Sequence, residues 1–248
     1  MSTISMYWWR ERPNFGDALA PVIVAAISGR NPVWQHQPPR LLAIGSIIHH
    51  ALPGDTIWGS GVHNLRLNRP WSPEGKTFLA VRGPITRQYI LDRGGVCPPV
   101  YGDPASLLPR FHPIRVEPIR EVALMPHLAD ATGREFARRH RLPCIDPSQP
   151  WQKVVAEIAS CRLLLSSSLH GIIVAEAYGV PAIWTAYTKS PEKFHDYYQA
   201  TGRRHCEPIP WEVAIHAKPP KLLPERTTDQ NLEASLREWL DCNERNKP

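Results

Sequence analysis

At 248 residues, with 42% apolar and 21% charged residues, the chain can bury a core of its own, which excludes an intrinsically disordered segment and a mini-protein that needs staples. Lys and Arg exceed Asp and Glu by 29 to 23, and the formal charge of +6 favours anionic partners such as phosphates, acidic glycans or an anionic membrane surface. The five cysteines are scattered and never paired at zinc-site or redox-motif spacing, which fits a reducing compartment.

The N-terminus lacks a secretory leader pattern, because Arg10, Glu11 and Arg12 follow the first short run directly. The longest apolar region, 163–184, is interrupted by His170, Glu176, Gly179 and Pro181, far from the roughly 20 apolar residues of a membrane span. The basic stretch 134–141 reads as the solvated face of a helix, so no nucleic-acid partner is predicted.

Residues 3–9, β-branched and aromatic, predict a strand. The run Pro13-Asn14-Phe15-Gly16-Asp17 breaks it, and 18–28 predicts an apolar helix with Asp17 as its N-cap and Gly29 as its stop. Short apolar runs at 41–44, 56–58 and 78–81 end at polar or glycine-bearing loops, as parallel strands buried on both faces do. A helix over 84–93 has Pro84 at its first position and Gly94 at its stop, and a strand follows at 100–101. Pro109, Pro113 and Pro118, among charged residues without apolar period, predict a link between an N-terminal domain, 1–112, and a second domain, 113–227.

The second domain repeats the alternation, with strands at 121–125, 143–145, 162–165 and 182–184 and helices at 132–140, 151–159 and 169–178. A last amphipathic helix over 229–243, assigned to 228–244 in the domain division, carries Leu232, Leu236, Trp239 and Leu240 on one face and is expected to pack back on the first domain. The fold class is therefore α/β, with two Rossmann-like halves facing across a cleft.

Ligands of open parallel sheets sit beyond the carboxyl ends of the strands, so polar residues just after strands are the candidates. The loop of Asn14, Gly16 and Asp17 joins a glycine to a helix N-terminus that can receive an anion. Ser60 and Gly61 follow the 56–58 strand, with His63, Asn64 and Arg66 behind them. Arg82 ends the 78–81 strand where a helix begins, with Arg87 a turn further on, and its planar fork matches carboxylate or phosphate oxygens. Ser167, Ser168 and His170 follow the most apolar strand, and an imidazole in the first turn of a helix can trade protons near neutrality. Neither His49-His50 nor His195 has a partner at metal-ligand spacing, so no protein-bound metal is predicted.

Together these segments resemble the polysaccharide pyruvyl transferase family. The resemblance rests on Asn14-Phe15-Gly16-Asp17, Trp58-Gly59-Ser60-Gly61, Ala80-Val81-Arg82-Gly83-Pro84, Tyr101-Gly102-Asp103-Pro104-Ala105 and the segment ending Ser168-Leu169-His170, five short motifs in family order. Many members carry arginine where this chain has Ser168, and serine there looks like the branch that decorates bacterial exopolysaccharide repeat units.

The resemblance implies a fold similar to the GT-B glycosyltransferase arrangement, with the donor on the second-domain side. It implies phosphoenolpyruvate as donor, no further cofactor, and a saccharide acceptor on which a pyruvate ketal is closed. A lipid-linked acceptor would place the protein in the cytoplasm, at the inner face of the membrane through peripheral association. His170 would be the general acid and base and Arg82 the anion clamp, with Arg87, Ser167, Ser168, Ser60, Gly61 and the 14–17 loop completing the pocket and Asp103 orienting a sugar hydroxyl or capping its turn. The alternatives are a nucleotide-sugar-dependent glycosyltransferase, since paired α/β architecture serves both reactions, and a non-catalytic glycan-binding relative.

Overall fold

The structure is a computed structural model that describes residues 2–63, 70–186, 190–222 and 227–245. In chain order the first part runs β1 (Thr3–Tyr7), α1 (Phe15–Ser28), β2 (Asn31–Trp34), β3 (Leu41–Leu42), β4 (Thr56–Trp58), β5 (Thr77–Ala80), α2 (Pro84–Leu91) and the short α3 (Leu108–Phe111). The second runs β6 (Ala123–Met125), α4 (Ala131–Arg139), α5 (Trp151–Ala159), β7 (Leu164–Ser166), α6 (Leu169–Ala177), β8 (Ala182–Trp184), α7 (Glu192–Ala200), α8 (Trp211–Ala214) and α9 (Thr227–Arg245).

All strand pairings are parallel, in one sheet of order β2-β1-β3-β4-β5 and another of order β6-β7-β8. The fold is thus α/β with parallel sheets. Isolated parallel bridges extend both sheets: Val81 to Tyr101 beyond β5, Leu124 to Cys144 beside β6, and Thr185 to Ile209 beyond β8. In the first sheet the order reverses between β1 and β3, the switch point at which a crevice opens beyond the strand ends.

Two local readings are corrected. Helix α1 starts at Phe15, a turn earlier than the apolar run suggested, because Asn14 is the cap: its extended backbone lets its side-chain oxygen accept from Gly16 N at 3.1 Å. Asp17 consequently lies inside the first turn, buried, rather than capping it. Strand β2 was not anticipated, since Pro32 removes a ladder donor, and it is tolerated because β2 lies at the sheet edge.

The apolar core runs without interruption from the first sheet to the second, joining Met6, Leu19 and Trp58 to Met125, Leu164 and Ile172. The junction at 112/113 therefore separates two sheets that share one core. Helix α9 buries Leu232, Leu236 and Leu240 in that core, and Trp58 Nε1 donates to Leu232 O at 2.8 Å. Helix α7, from the second part, docks on α2 of the first: Asp196 accepts from Thr86 N at 3.0 Å and from Thr86 Oγ1 at 2.6 Å. Each of these contacts joins residues more than a hundred positions apart.

Candidate active site

A cavity of about 400 Å³ opens where the carboxyl ends of the two sheets meet. Trp9 and Asn14, after β1, and Ser46, Ile47, His49 and His50, after β3, line it at the switch point of the first sheet, and His127, after β6, and Ser168, after β7, close it from the second. Two helices begin at its wall, α1 with Asp17 in its first turn and α6 with His170. Their unpaired amides and dipoles favour negative charge in the space between them.

His170 is fixed from three sides. Gly171 seats α6 against the second sheet, where an added Cβ would come within 2.6 Å of Ser166 Oγ and 2.8 Å of Met125 Sδ. The His170 ring lies on Gly16, where a methyl group would overlap it. Its Nε2 stands 3.6 Å from Asp103 Oδ2, a buried carboxylate oxygen that has no hydrogen-bond partner among the described residues, while Asp103 Oδ1 caps the following turn by accepting from Ala105 N. The imidazole is 13% exposed and lines the cavity, and the charged group beside its Nε2 is this carboxylate, with no serine hydroxyl hydrogen-bonded to the ring among the described residues.

Arg82 also lines the cavity, but its fork is committed. It is 1% exposed, with one terminal nitrogen donating to Ser46 Oγ at 2.9 Å and the other to Val62 O at 2.8 Å and pairing with Asp196 at 3.1 Å. Gly61 makes this possible, because any side chain there would collide with the guanidinium. One turn before Asp196 on α7, Lys193 reaches the same cavity, and no hydrogen bond or ion pair holds its ammonium among the described residues.

The electrostatics follow from burial. Asp17, a buried carboxylate in the cavity wall, is pushed up to about 6 by desolvation, against the opposing pull of His170 and Lys193. Desolvation and the neighbouring Arg82 charge push Lys193 down to about 8, with Asp17 opposing. His127 is pushed down to about 4, by desolvation first and then by the cations around it, so its ring is neutral at pH 7. Because its Nδ1 accepts from Ala129 N at 3.1 Å, the proton resides on Nε2.

Of the residues selected from sequence, the fold brings Asn14, Asp17, Arg82, Ser168 and His170 to the cavity wall. Gly16, Gly61 and Asp103 stand directly behind that wall, against His170 or Arg82. Ser60 and Ser167 hold loops: Ser60 Oγ donates to Gly45 O, and Ser167 Oγ accepts from His127 N and donates to Asp130 at 2.6 Å. Arg87 does not reach the cavity, because its Nε donates to Cys97 O on the far side of α2. Asn64 and Arg66 lie outside the described residues. Sequence reasoning missed His127, although it follows a strand end, and Lys193, for which no strand-end signal exists.

Among the described residues no group of three or more His, Cys, Asp or Glu is gathered as a metal site, and no helix is long and apolar enough to cross a membrane. What converges is a proton carrier backed by a carboxylate, an unpaired ammonium, a high-pKa carboxyl and two helix N-termini. Such a set can hold a small phosphorylated acid and move protons beside it.

Residues 57–190 match the family described as polysaccharide pyruvyl transferase. The succinoglycan biosynthesis protein ExoV of Rhizobium meliloti (strain 1021) is 29% identical over 217 residues, 79% of this chain and 64% of that protein. An uncharacterized protein of Acanthamoeba polyphaga mimivirus is 31% identical over 177 residues, 66% of this chain and 61% of that one. The matched region thus spans less than two thirds of either relative's length. A crystal structure of a functionally uncharacterized protein from Klebsiella pneumoniae subsp. pneumoniae NTUH-K2044 has a TM-score of 0.50 at 12% identity, covering 80% of this chain and 87% of that chain, a likeness of fold alone.

Proposed function

The chain belongs to the polysaccharide pyruvyl transferase family, and from that premise we propose that it transfers the pyruvyl group of phosphoenolpyruvate to a saccharide of an exopolysaccharide repeat unit and closes a pyruvate ketal. The observation that carries this reading is the convergence of His170, Lys193 and Asp17 on one cavity at the carboxyl ends of both sheets, with the Asp103 carboxylate behind the His170 ring. In this reading the two sheets correspond to the lobes of a GT-B-like arrangement, with the donor on the second-sheet side. The acceptor is lipid-linked and the protein works at the inner face of the cytoplasmic membrane.

His170 delivers a proton to the methylene carbon of the donor, and the carbon bearing the phosphate becomes oxocarbenium-like. A sugar hydroxyl adds to that carbon and returns its proton to the now neutral His170. Phosphate departs with the electrons of its C–O bond and leaves the carbon oxocarbenium-like again, and a second hydroxyl of the same sugar attacks it to close the ketal, losing its proton to the departing phosphate. The carboxylate of Asp103 stabilises the imidazolium between proton transfers, and such acid–base assistance contributes roughly a hundred- to ten-thousand-fold in rate. His127, neutral and protonated on Nε2, is a hydrogen-bond donor to an anionic or hydroxyl oxygen.

The test is a donor panel. Purified protein with an oligosaccharide acceptor is expected to release phosphate from phosphoenolpyruvate and to leave nucleotide sugars intact. Glycosyl transfer from a nucleotide sugar, with phosphoenolpyruvate inert, would replace this reading by the glycosyltransferase one.

A further inference from the structure

We propose that Lys193, and not Arg82, is the cation that receives the phosphate of the anionic donor; this rests on the pyruvyl-transfer reading of the same cavity. An anion needs donors that are accessible and not already neutralised. Arg82 is neither. It is almost fully buried, both terminal nitrogens are used by Ser46, Val62 and Asp196, and its remaining Nε–H is enclosed.

Lys193 has the opposite character. Its side chain lines the cavity and its ammonium has no hydrogen bond or ion pair among the described residues, only the Phe194 ring at 5.3 Å. Helix α7 sets both conditions, since Asp196 neutralises Arg82 and ties α7 to α2 through Thr86, while Lys193, three residues earlier, is carried to the cavity on the same helix. A half-buried, unpaired ammonium is costly to keep unless a ligand completes it. The titratable and charged groups around it are Asp17 on α1, Arg82 at the end of β5, the neutral His127 after β6 and His170 on α6 in the same cavity wall, with Asp196 on its own helix. Burial among them lowers its pKa to about 8, which leaves it a cation at neutral pH and fits a site that is charged for an anion and loses that charge as pH rises past this value.

The experiment is calorimetric titration of the full chain with phosphoenolpyruvate and, separately, with inorganic phosphate, for the wild type, Lys193→Met and Lys193→Arg, with melting temperature of the unliganded proteins as the folding control. Lys193→Gln replaces the methionine variant if that one does not fold. Loss of one charge-assisted contact predicts binding about tenfold to a hundredfold weaker in Lys193→Met, largely restored in Lys193→Arg, with the unliganded melting temperature unchanged or raised. Equal affinity of wild type and Lys193→Met for phosphoenolpyruvate overturns the assignment and leaves the donor reading standing. Binding of phosphate but not phosphoenolpyruvate, lost in Lys193→Met, supports the cation and overturns the donor. Binding of neither probe by the wild type overturns both.

Discussion

Replacing Asp17 with Asn removes one negative charge and changes almost no volume, so it isolates the electrostatic cost of this carboxylate in the cavity wall. Burial lifts the Asp17 carboxyl from 3.8 to about 6 in the native state, which costs the ionised native protein about 3 kcal/mol relative to the unfolded chain. The sign follows from proton binding. Between pH 4 and pH 6 the native state holds a proton that the unfolded chain has released, so wild-type stability from this group is full below pH 4 and is lost as pH rises through 6. Asn cannot titrate. The stability difference between variant and wild type is therefore near zero at pH 4 and grows to at most about 3 kcal/mol in favour of Asn at pH 7. Loss of the Asp17 charge also withdraws support from the Lys193 ammonium, which trims that gain. Urea unfolding of both proteins at pH 4, 5, 6 and 7 measures the difference directly. Parallel stability profiles, or a variant less stable at pH 7, would refute the burial argument.

His170→Ala should remove at least about a hundredfold of turnover, read as phosphate release, while circular dichroism and melting temperature stay native, because the ring packs mainly on Gly16 at the cavity edge. Gly16→Ala should reproduce that loss with His170 still present, since the added methyl overlaps the ring and must displace it; turnover near wild type would show that the ring position is not critical. Asp196→Asn leaves the buried Arg82 guanidinium without its counter-charge and should destabilise the fold by about 3–5 kcal/mol in denaturant unfolding, with a cost below 1 kcal/mol counting against the pairing.

The parallel strands and the helices after them were legible because each carries its own local signal: apolar runs at 56–58 and 182–184 and the helix at 151–159 coincide with β4, β8 and α5. The rule that ligands sit after strand ends was enough to find His170, Arg82 and the 14–17 loop, and applied to β6 it would have found His127 as well. What local pattern cannot carry is which side chain neutralises which. Arg82 reads as an exposed clamp until Asp196, 114 positions away, is seen to pair with it. Lys193 sits in a helix whose sequence, with Lys, His and Asp among aromatics, looks like an ordinary amphipathic surface. Only the docking of α7 on α2 turns that face to the cavity. The same holds for Arg87, whose one-turn spacing from Arg82 put it near the site on paper and whose side chain the Cys97 carbonyl draws to the other side.

The most direct test of pyruvyl transfer in this cavity is mass spectrometry of a saccharide acceptor after incubation with carbon-labelled phosphoenolpyruvate in deuterated water. The account predicts a product heavier by a labelled pyruvyl ketal, with one deuterium in its methyl group, formed by the wild type and not by His170→Ala. An unchanged acceptor alongside intact donor, or equal product from both proteins, would contradict it.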